Sequence, residues 1–142
     1  REYKSFHVHD AAGIVYWHRA GGRSGFLSGR GGEIVERRAR DLGVHDVVLG
    51  RVDKSKAFAE VLQRQNLTPD QVAYVGDDLL DLPVLRQAGF AATVPEARRE
   101  VLAQAQFVTE RSGGFGAARD VIEELLRARG VWQNVVDKDG RP

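Results

Sequence analysis

The stretch Val72-Ala-Tyr-Val-Gly-Asp-Asp-Leu-Leu-Asp81 constrains this chain more than any other. Its four leading apolar residues read as a short strand buried on both faces, of the kind found inside a parallel sheet. Gly76 ends the run, and three carboxylates follow at once, Asp77, Asp78 and Asp81. They lead into a helical pattern with Leu79, Leu80, Leu82, Val84 and Leu85 on the apolar side. In an α/β sheet such a junction lies at the carboxyl end of a strand, where these folds place their ligands. Carboxylates packed this closely repel one another unless a cation or a basic side chain sits among them. Hard oxygen ligands suit magnesium, which takes one or two carboxylates and completes its shell with water and substrate phosphate. The plainer alternative is a solvated loop in which Asp81 only caps the next helix.

The rest of the chain alternates strands with helices. Tyr3, Phe6 and Val8 are spaced as a strand over the first nine residues, and Asp10 is placed to cap a helix that ends at Gly21-Gly22. Ser24 to Leu27 form a strand that runs into Ser28-Gly-Arg-Gly-Gly32, and a helix follows from Glu33 to Leu42. Asp46 to Leu49 make another strand, after which Lys54 and Lys56 open a helix containing Ala57, Phe58, Val61 and Leu62. Thr68-Pro-Asp is a helix-start or turn signature leading into the acidic stretch. Phe90 to Val94 and Phe107-Val108 are two more strands, with a short helix around Val101 between them. Ser112-Gly-Gly-Phe-Gly116 is a glycine-dense loop, and a last helix carries Val121, Ile122, Leu125 and Leu126. From Val131 to Pro142 there is no firm pattern. The alternation predicts a Rossmann-like three-layer α/β sandwich on a mostly parallel sheet.

Right-handed crossovers carry Ser28, Lys54 and Asp77 to one edge of that sheet. A hydroxyl over glycines at a helix amino end suits an oxyanion, and Arg30 adds a bidentate donor. A lysine in the first turn opposes the helix dipole, which implies an anion nearby. Each signal alone reads equally as a turn, a cap or a solvent-facing cation. Together they describe a magnesium-dependent phosphoryl-transfer site. His7, His9 and His18 lack a third ligand at local spacing and read as a solvated surface.

Composition narrows the partners. The 142 residues carry a net charge of +1, with 21 Lys+Arg against 20 Asp+Glu and no basic block, so nucleic acid is not expected. There is no cysteine, which excludes disulfides and thiolate metal sites. No apolar run approaches a membrane span and no signal peptide is visible, so a soluble cytoplasmic protein is expected. The chain contains no methionine and begins inside a strand-like pattern, as expected if its start was removed or if it is part of a longer reading frame.

Phe26-Leu-Ser-Gly-Arg30, Gly50 to Lys54, and Tyr74-Val-Gly-Asp-Asp-Leu-Leu-Asp81 resemble motifs II, III and IV of the haloacid dehalogenase superfamily. With Tyr3 to Asp10 and Gly113-Gly-Phe-Gly-Ala-Ala-Arg119, they are similar to its small capless branch, the 3-deoxy-manno-octulosonate 8-phosphate phosphatases. The resemblance implies that Ser28 holds the transferring phosphoryl group and Lys54 neutralises charge beside it. It makes Asp77 a magnesium ligand, leaves Asp78 to support that shell or pair with Lys54, and puts Asp81 behind them. Gly29, Arg30, Gly113 and Gly114 would approach the sugar-acid substrate, with Arg30 facing the leaving group. The branch serves lipopolysaccharide precursor synthesis. It forms tetramers through a β-hairpin whose second strand corresponds to residues 1–9, ahead of a core over residues 10–130 and a tail over 131–142.

One motif is missing. The family's Asp-x-Asp, at the end of a central first strand, belongs ahead of Arg1; it provides the attacking carboxylate, the general acid/base and part of the metal shell. The sheet should therefore lack its middle strand. Val135-Val-Asp-Lys-Asp-Gly140 has the form of that motif and could supply it by circular permutation, or be an ordinary polar turn. Ala11 stands where the branch has glycine. Two other readings compete. One is a non-catalytic assembly module like the phosphatase-like domains of acylneuraminate cytidylyltransferases. The other is a phospho-receiver domain, which the order of acids and lysine disfavours.

Overall fold

The computed structural model describes residues 8–29, 31–113 and 116–139, and the side chains of these except residues 8–11 and 139. Five short strands run through them: β1 (Gly25–Leu27), β2 (Asp46–Val48), β3 (Ala73–Val75), β4 (Phe90–Thr93) and β5 (Phe107–Val108). Every ladder is parallel, as the strand–helix alternation predicts. The strands form two pieces: β1 pairs with β2, and β3, β4 and β5 pair in that order. Among the described residues no ladder joins the pieces, as expected of a sheet without its middle strand.

Helices follow the strands, α2 (Glu33–Leu42) after β1 and α3 (Lys54–Gln65) after β2. Both have the limits the sequence pattern gives at their amino ends. α2 stops because Gly43 adopts a left-handed conformation (φ 72°) that a residue with a side chain resists. After β3 comes a 3₁₀ turn, Leu79–Asp81, and then α4 (Leu82–Leu85). The sequence pattern from Leu79 to Leu85 predicts one helix; Pro83, which lacks an N–H, sits instead in the first turn of a new short helix. α5 (Arg99–Gln104) and α6 (Ala117–Ala128) complete the alternation.

The strand buried on both faces is β4 rather than β3. Ala91, Ala92 and Thr93 are at most 3% exposed, whereas Val75 is 40% exposed. β3 has a described partner on one side only, and that is why its apolar residues are less covered than their sequence suggests. Leu85, Ala91 and Val101 form a buried cluster against which Tyr74, Leu82 and Ala97 pack, so helices α4 and α5 are fastened to the sheet directly beside the acidic turn.

Two ends of the chain differ from expectation. α1 spans Val8–Arg19, so Val8 and His9, assigned to a strand, are helical, and Asp10 lies inside the helix rather than capping it. Tyr3 to His7 lie outside the described residues. The patternless tail contains α7 (Trp132–Asp139). Its anchor is aromatic: the Trp132 ring lies 5.7 Å from the Arg119 guanidinium and 5.2 Å from that of Arg127, with the Tyr16 ring 6.4 Å away. Val135 to Asp139 are therefore helical, and the tail does not form the strand that a permuted Asp-x-Asp needs.

Candidate active site

The centre of the acidic turn is Asp81, not either of the exposed acids. Asp81 is 3% exposed, and its carboxylate accepts four hydrogen bonds. Oδ1 takes the Lys54 ammonium at 2.6 Å and the Tyr74 hydroxyl at 2.8 Å. Oδ2 takes the backbone N–H groups of Asp77 at 3.0 Å and Asp78 at 3.2 Å. A buried carboxylate persists only when its lone pairs are satisfied in this way. The 3₁₀ turn brings Asp81 back over Gly76, and a Cβ on Gly76 would stand 2.5 Å from the Asp81 Cβ. Glycine is required there for space. Its carbonyl in turn accepts the Thr93 hydroxyl at 2.6 Å, which ties the turn to β4.

This hub controls the charges around it. Burial pushes the Asp81 carboxyl up, but the hydrogen bonds from Lys54, Tyr74 and the Asp78 N–H outweigh that and hold it below the usual carboxylate range. The Tyr74 phenol is pushed far up, first by burial and then by the Asp81 charge, so it stays a donor. Asp77 is raised, chiefly by loss of water and then by the charges of Asp81 and Asp78, which Lys54 only partly offsets. Loss of water and the two neighbouring acids thus act in the same direction, against the charged form of Asp77.

Each predicted residue can now be placed. Ser28 follows β1 at its carboxyl end; its N–H bonds the Val48 carbonyl at 2.9 Å and its carbonyl accepts the Arg51 N–H at 3.3 Å, so it is stitched to the loop that leads to Lys54. Gly29 packs against that loop, with the position of its absent Cβ 3.6 Å from the Arg51 carbonyl. Lys54 opens α3, which Asp53 caps through the Lys56 N–H at 3.0 Å, and it crosses from the β1–β2 piece to the other piece to reach Asp81. Of the two parts open to Asp78, the pairing with Lys54 is taken by Asp81, while Asp78 Oδ1 accepts the Leu79 N–H at 2.7 Å. Gly113 donates its N–H to Glu96 Oε1 at 2.6 Å. Arg30 and Gly114 lie outside the described residues. His18 is remote from the rim: its Nε2 lies 2.6 Å from the Ser24 hydroxyl and its ring 4.9 Å from that of His45, both ahead of their strands.

Three contributors escaped the sequence reading. Tyr74 was read only as apolar, although a buried phenol in such a strand needs an acceptor nearby. Glu96 and Arg98 belong to the β4–α5 loop, which carries no motif. Yet Arg98 joins Asp77 and Asp78 in lining a cleft of about 300 Å³, and its backbone N–H points at the Asp77 carbonyl, 3.4 Å away.

Residues 35–118 match the model of the haloacid dehalogenase-like hydrolases. The chain belongs to that family. It is 36% identical over 129 residues to 3-deoxy-D-manno-octulosonate 8-phosphate phosphatase of Escherichia coli K12, spanning 91% of this chain and 69% of that protein. The corresponding phosphatase of Yersinia pestis is 38% identical over 128 residues, 90% of this chain and 68% of the relative. Among solved structures, the Moraxella catarrhalis phosphatase in complex with magnesium, phosphate and KDO superimposes with a TM-score of 0.94 at 32% identity, over 97% of this chain and 79% of that one. A cobalt-bound Haemophilus influenzae phosphatase gives 0.89 at 35% identity, over 92% and 77%.

A haloacid dehalogenase-like hydrolase uses a divalent metal, and the acidic turn fits one. Asp77 and Asp78 both line the cleft, and both acids offer hard oxygen. No group of three or more acidic, histidine or cysteine side chains converges on one metal position among the described residues. The shell would therefore be shared with water, substrate oxygen and groups beyond those described, as is usual for magnesium. No helix among the described residues is long and apolar enough to cross a membrane.

Proposed function

We propose that the protein is a magnesium-dependent phosphatase of sugar-acid phosphates, converting 3-deoxy-D-manno-octulosonate 8-phosphate to the free sugar acid and inorganic phosphate. The observation that carries this reading is the Asp81 hub. One buried carboxylate holds Lys54 with one oxygen and accepts the Asp77 and Asp78 N–H groups with the other, which supports a cation-binding role for Asp77 and a phosphate-neutralising role for Lys54. The names of the relatives supply the substrate.

In this reading the Ser28 hydroxyl donates to a phosphoryl oxygen, with Gly29 clearing space for it. The Lys54 ammonium has three donors, and its bond to Asp81 leaves two for phosphate or nucleophile. Asp77, supported by Asp78, holds magnesium, which when bound neutralises phosphate charge and orients the group for in-line attack. Arg30, Gly113 and Gly114 meet the sugar. The attacking carboxylate and the acid/base come from an Asp-x-Asp ahead of Arg1 in the family's order. A cytoplasmic homotetramer is the accompanying assembly.

The test is phosphate release by the full-length protein from the octulosonate phosphate. Turnover that EDTA abolishes and added magnesium restores is the expected result. No release at any magnesium concentration overturns the reading and favours the non-catalytic assembly module.

A further inference from the structure

We infer that Arg98 is the residue that recognises the acid group of the substrate, taking a carboxylate at the end of the molecule away from the phosphate. This rests on the phosphatase reading above. Three observations lead to it. The cleft of about 300 Å³ is lined by two acids, Asp77 and Asp78, and one base, Arg98. Its size is at the lower end of the range for small-molecule sites and admits a sugar. Arg98 is exposed and has no ion-pair partner among the described residues, so the fold itself does not use its charge.

Its placement is nevertheless fixed. Arg98 is the residue before α5, in an extended conformation (φ −60°, ψ 148°), and its N–H is held towards the Asp77 carbonyl at 3.4 Å. Two residues earlier, Glu96 accepts the Gly113 N–H at 2.6 Å, and that bond, with lesser help from Ser112, holds its carboxyl below the usual range. The segment from Pro95 to Arg98 is thus braced between the acidic turn on one side and the glycine loop on the other. The bracing fixes the Arg98 backbone at the edge of the cleft, and its exposed guanidinium offers a planar, two-point contact to a carboxylate.

Charge selects the occupant. Lys54 is engaged by Asp81, so Asp77 and Asp78 face the cleft with their own negative charge. A metal ion drawn to those acids repels Arg98, which then needs an anion from the ligand. The phosphoryl group lies towards Ser28, whose strand β1 belongs to the other sheet piece, whereas Arg98 follows β4. With the phosphate's charge met by Ser28, Lys54 and the metal on Asp77, the anion left for Arg98 is the substrate's other one.

The experiment compares Arg98→Gln and Arg98→Lys with the full-length wild type on two monoesters, the octulosonate phosphate and a phosphate ester of an uncharged sugar. The ratio of kcat/KM for the acid over the uncharged ester should fall at least tenfold in Arg98→Gln, mainly through KM, and Arg98→Lys should recover part of it. Calorimetry with the free sugar acid, in magnesium and inorganic phosphate, should show a Kd weakened to a similar degree, while the Kd for magnesium alone changes less than twofold. A ratio within twofold of wild type overturns the assignment while leaving the phosphatase reading intact. So does a changed magnesium Kd with unchanged sugar-acid binding, which would make Arg98 a counter-charge for Asp77 and Asp78. Absence of turnover in the wild type sinks the phosphatase reading, and the calorimetric comparison still decides Arg98.

Discussion

Helix α3 is clamped at both ends by an ion pair, and the two clamps differ in a way that separates function from support. At its first residue Lys54 meets Asp81, with the two side chains 12% and 4% exposed. In its last turn Arg64 meets Asp46 at the start of β2, where Arg64 is 49% exposed and Asp46 9%. Asp46 is well supplied, with Arg64 Nη2 at 2.8 Å, Nε at 3.1 Å and Gln65 Nε2 at 3.2 Å. Hydrogen bonding by Arg64 outweighs burial and lowers its carboxyl, just as Lys54 and Tyr74 lower Asp81. The chemistry matches, but the outer clamp is much more open to water than the inner one, chiefly through Arg64. Removing a partner from a buried pair strands the remaining charge, whereas an exposed pair is replaced by solvent.

The strongest way to break the comparison is Asp81→Ala. It strands the Lys54 ammonium, the Tyr74 hydroxyl and the N–H groups of Asp77 and Asp78 together. A loss of about 3–5 kcal/mol in urea unfolding is expected. The stabilisation that added magnesium gives the wild type should disappear with it, because the backbone beneath Asp77 loses its template. A loss below about 1 kcal/mol would put the Asp81 clamp in the same class as the Asp46 clamp.

A second variant sharpens the point without touching a charge. Gly76→Ala introduces a methyl 2.5 Å from the Asp81 Cβ and 2.8 Å from its Oδ2, in a turn that Thr93 fixes from the other side. Overpacking of this kind costs about 1–3 kcal/mol. If the hub is the organiser, the variant should also weaken magnesium binding in a calorimetric titration, although Gly76 offers no ligand. Unchanged magnesium affinity would show that the acidic turn tolerates displacement of Asp81.

The sequence made the frame of this site legible and left its pivot hidden. α2 from Glu33 to Leu42, the start of α3 at Lys54 and the parallel strands all follow from periodicity, glycine stops and chain order, which are local signals. Which of three neighbouring carboxylates turns inward is not local. It depends on a 3₁₀ turn closing over a residue without a Cβ, and on a lysine from another segment meeting the tyrosine of β3 at the same oxygen. Helix α7 escaped for a related reason. Eight residues are too few for periodicity to speak, and what holds Trp132 is a pair of arginines on α6. The brace from Glu96 to Gly113 joins two loops, and the glycines that mark one of them do not name their partner in the other.

The smallest effect belongs to the outer clamp, and it tests the comparison from the opposite side. Asp46→Asn removes the charge, keeps one carbonyl oxygen as an acceptor for Arg64 Nε and Gln65, and replaces the oxygen that accepts from Arg64 Nη2 by an amide nitrogen. Because Arg64 is half in water, the loss should be about 0.5 kcal/mol at neutral pH and low salt. Two dependences identify it as electrostatic. Asp46 has a folded-state pKa below its unfolded value, so its charge stabilises above the unfolded pKa, near 3.8, and that contribution fades as pH falls through the folded pKa. The gap between wild type and variant should therefore be flat from neutral pH down to about pH 4 and close below it. Raising ionic strength to about 1 M, where screening acts within about 3 Å, should shrink the gap, while the gap for Asp81→Ala persists because its ions are shielded from salt. Equal salt sensitivity in the two variants would mean that water reaches both ends of α3, and that the site's rim is no more enclosed than its base.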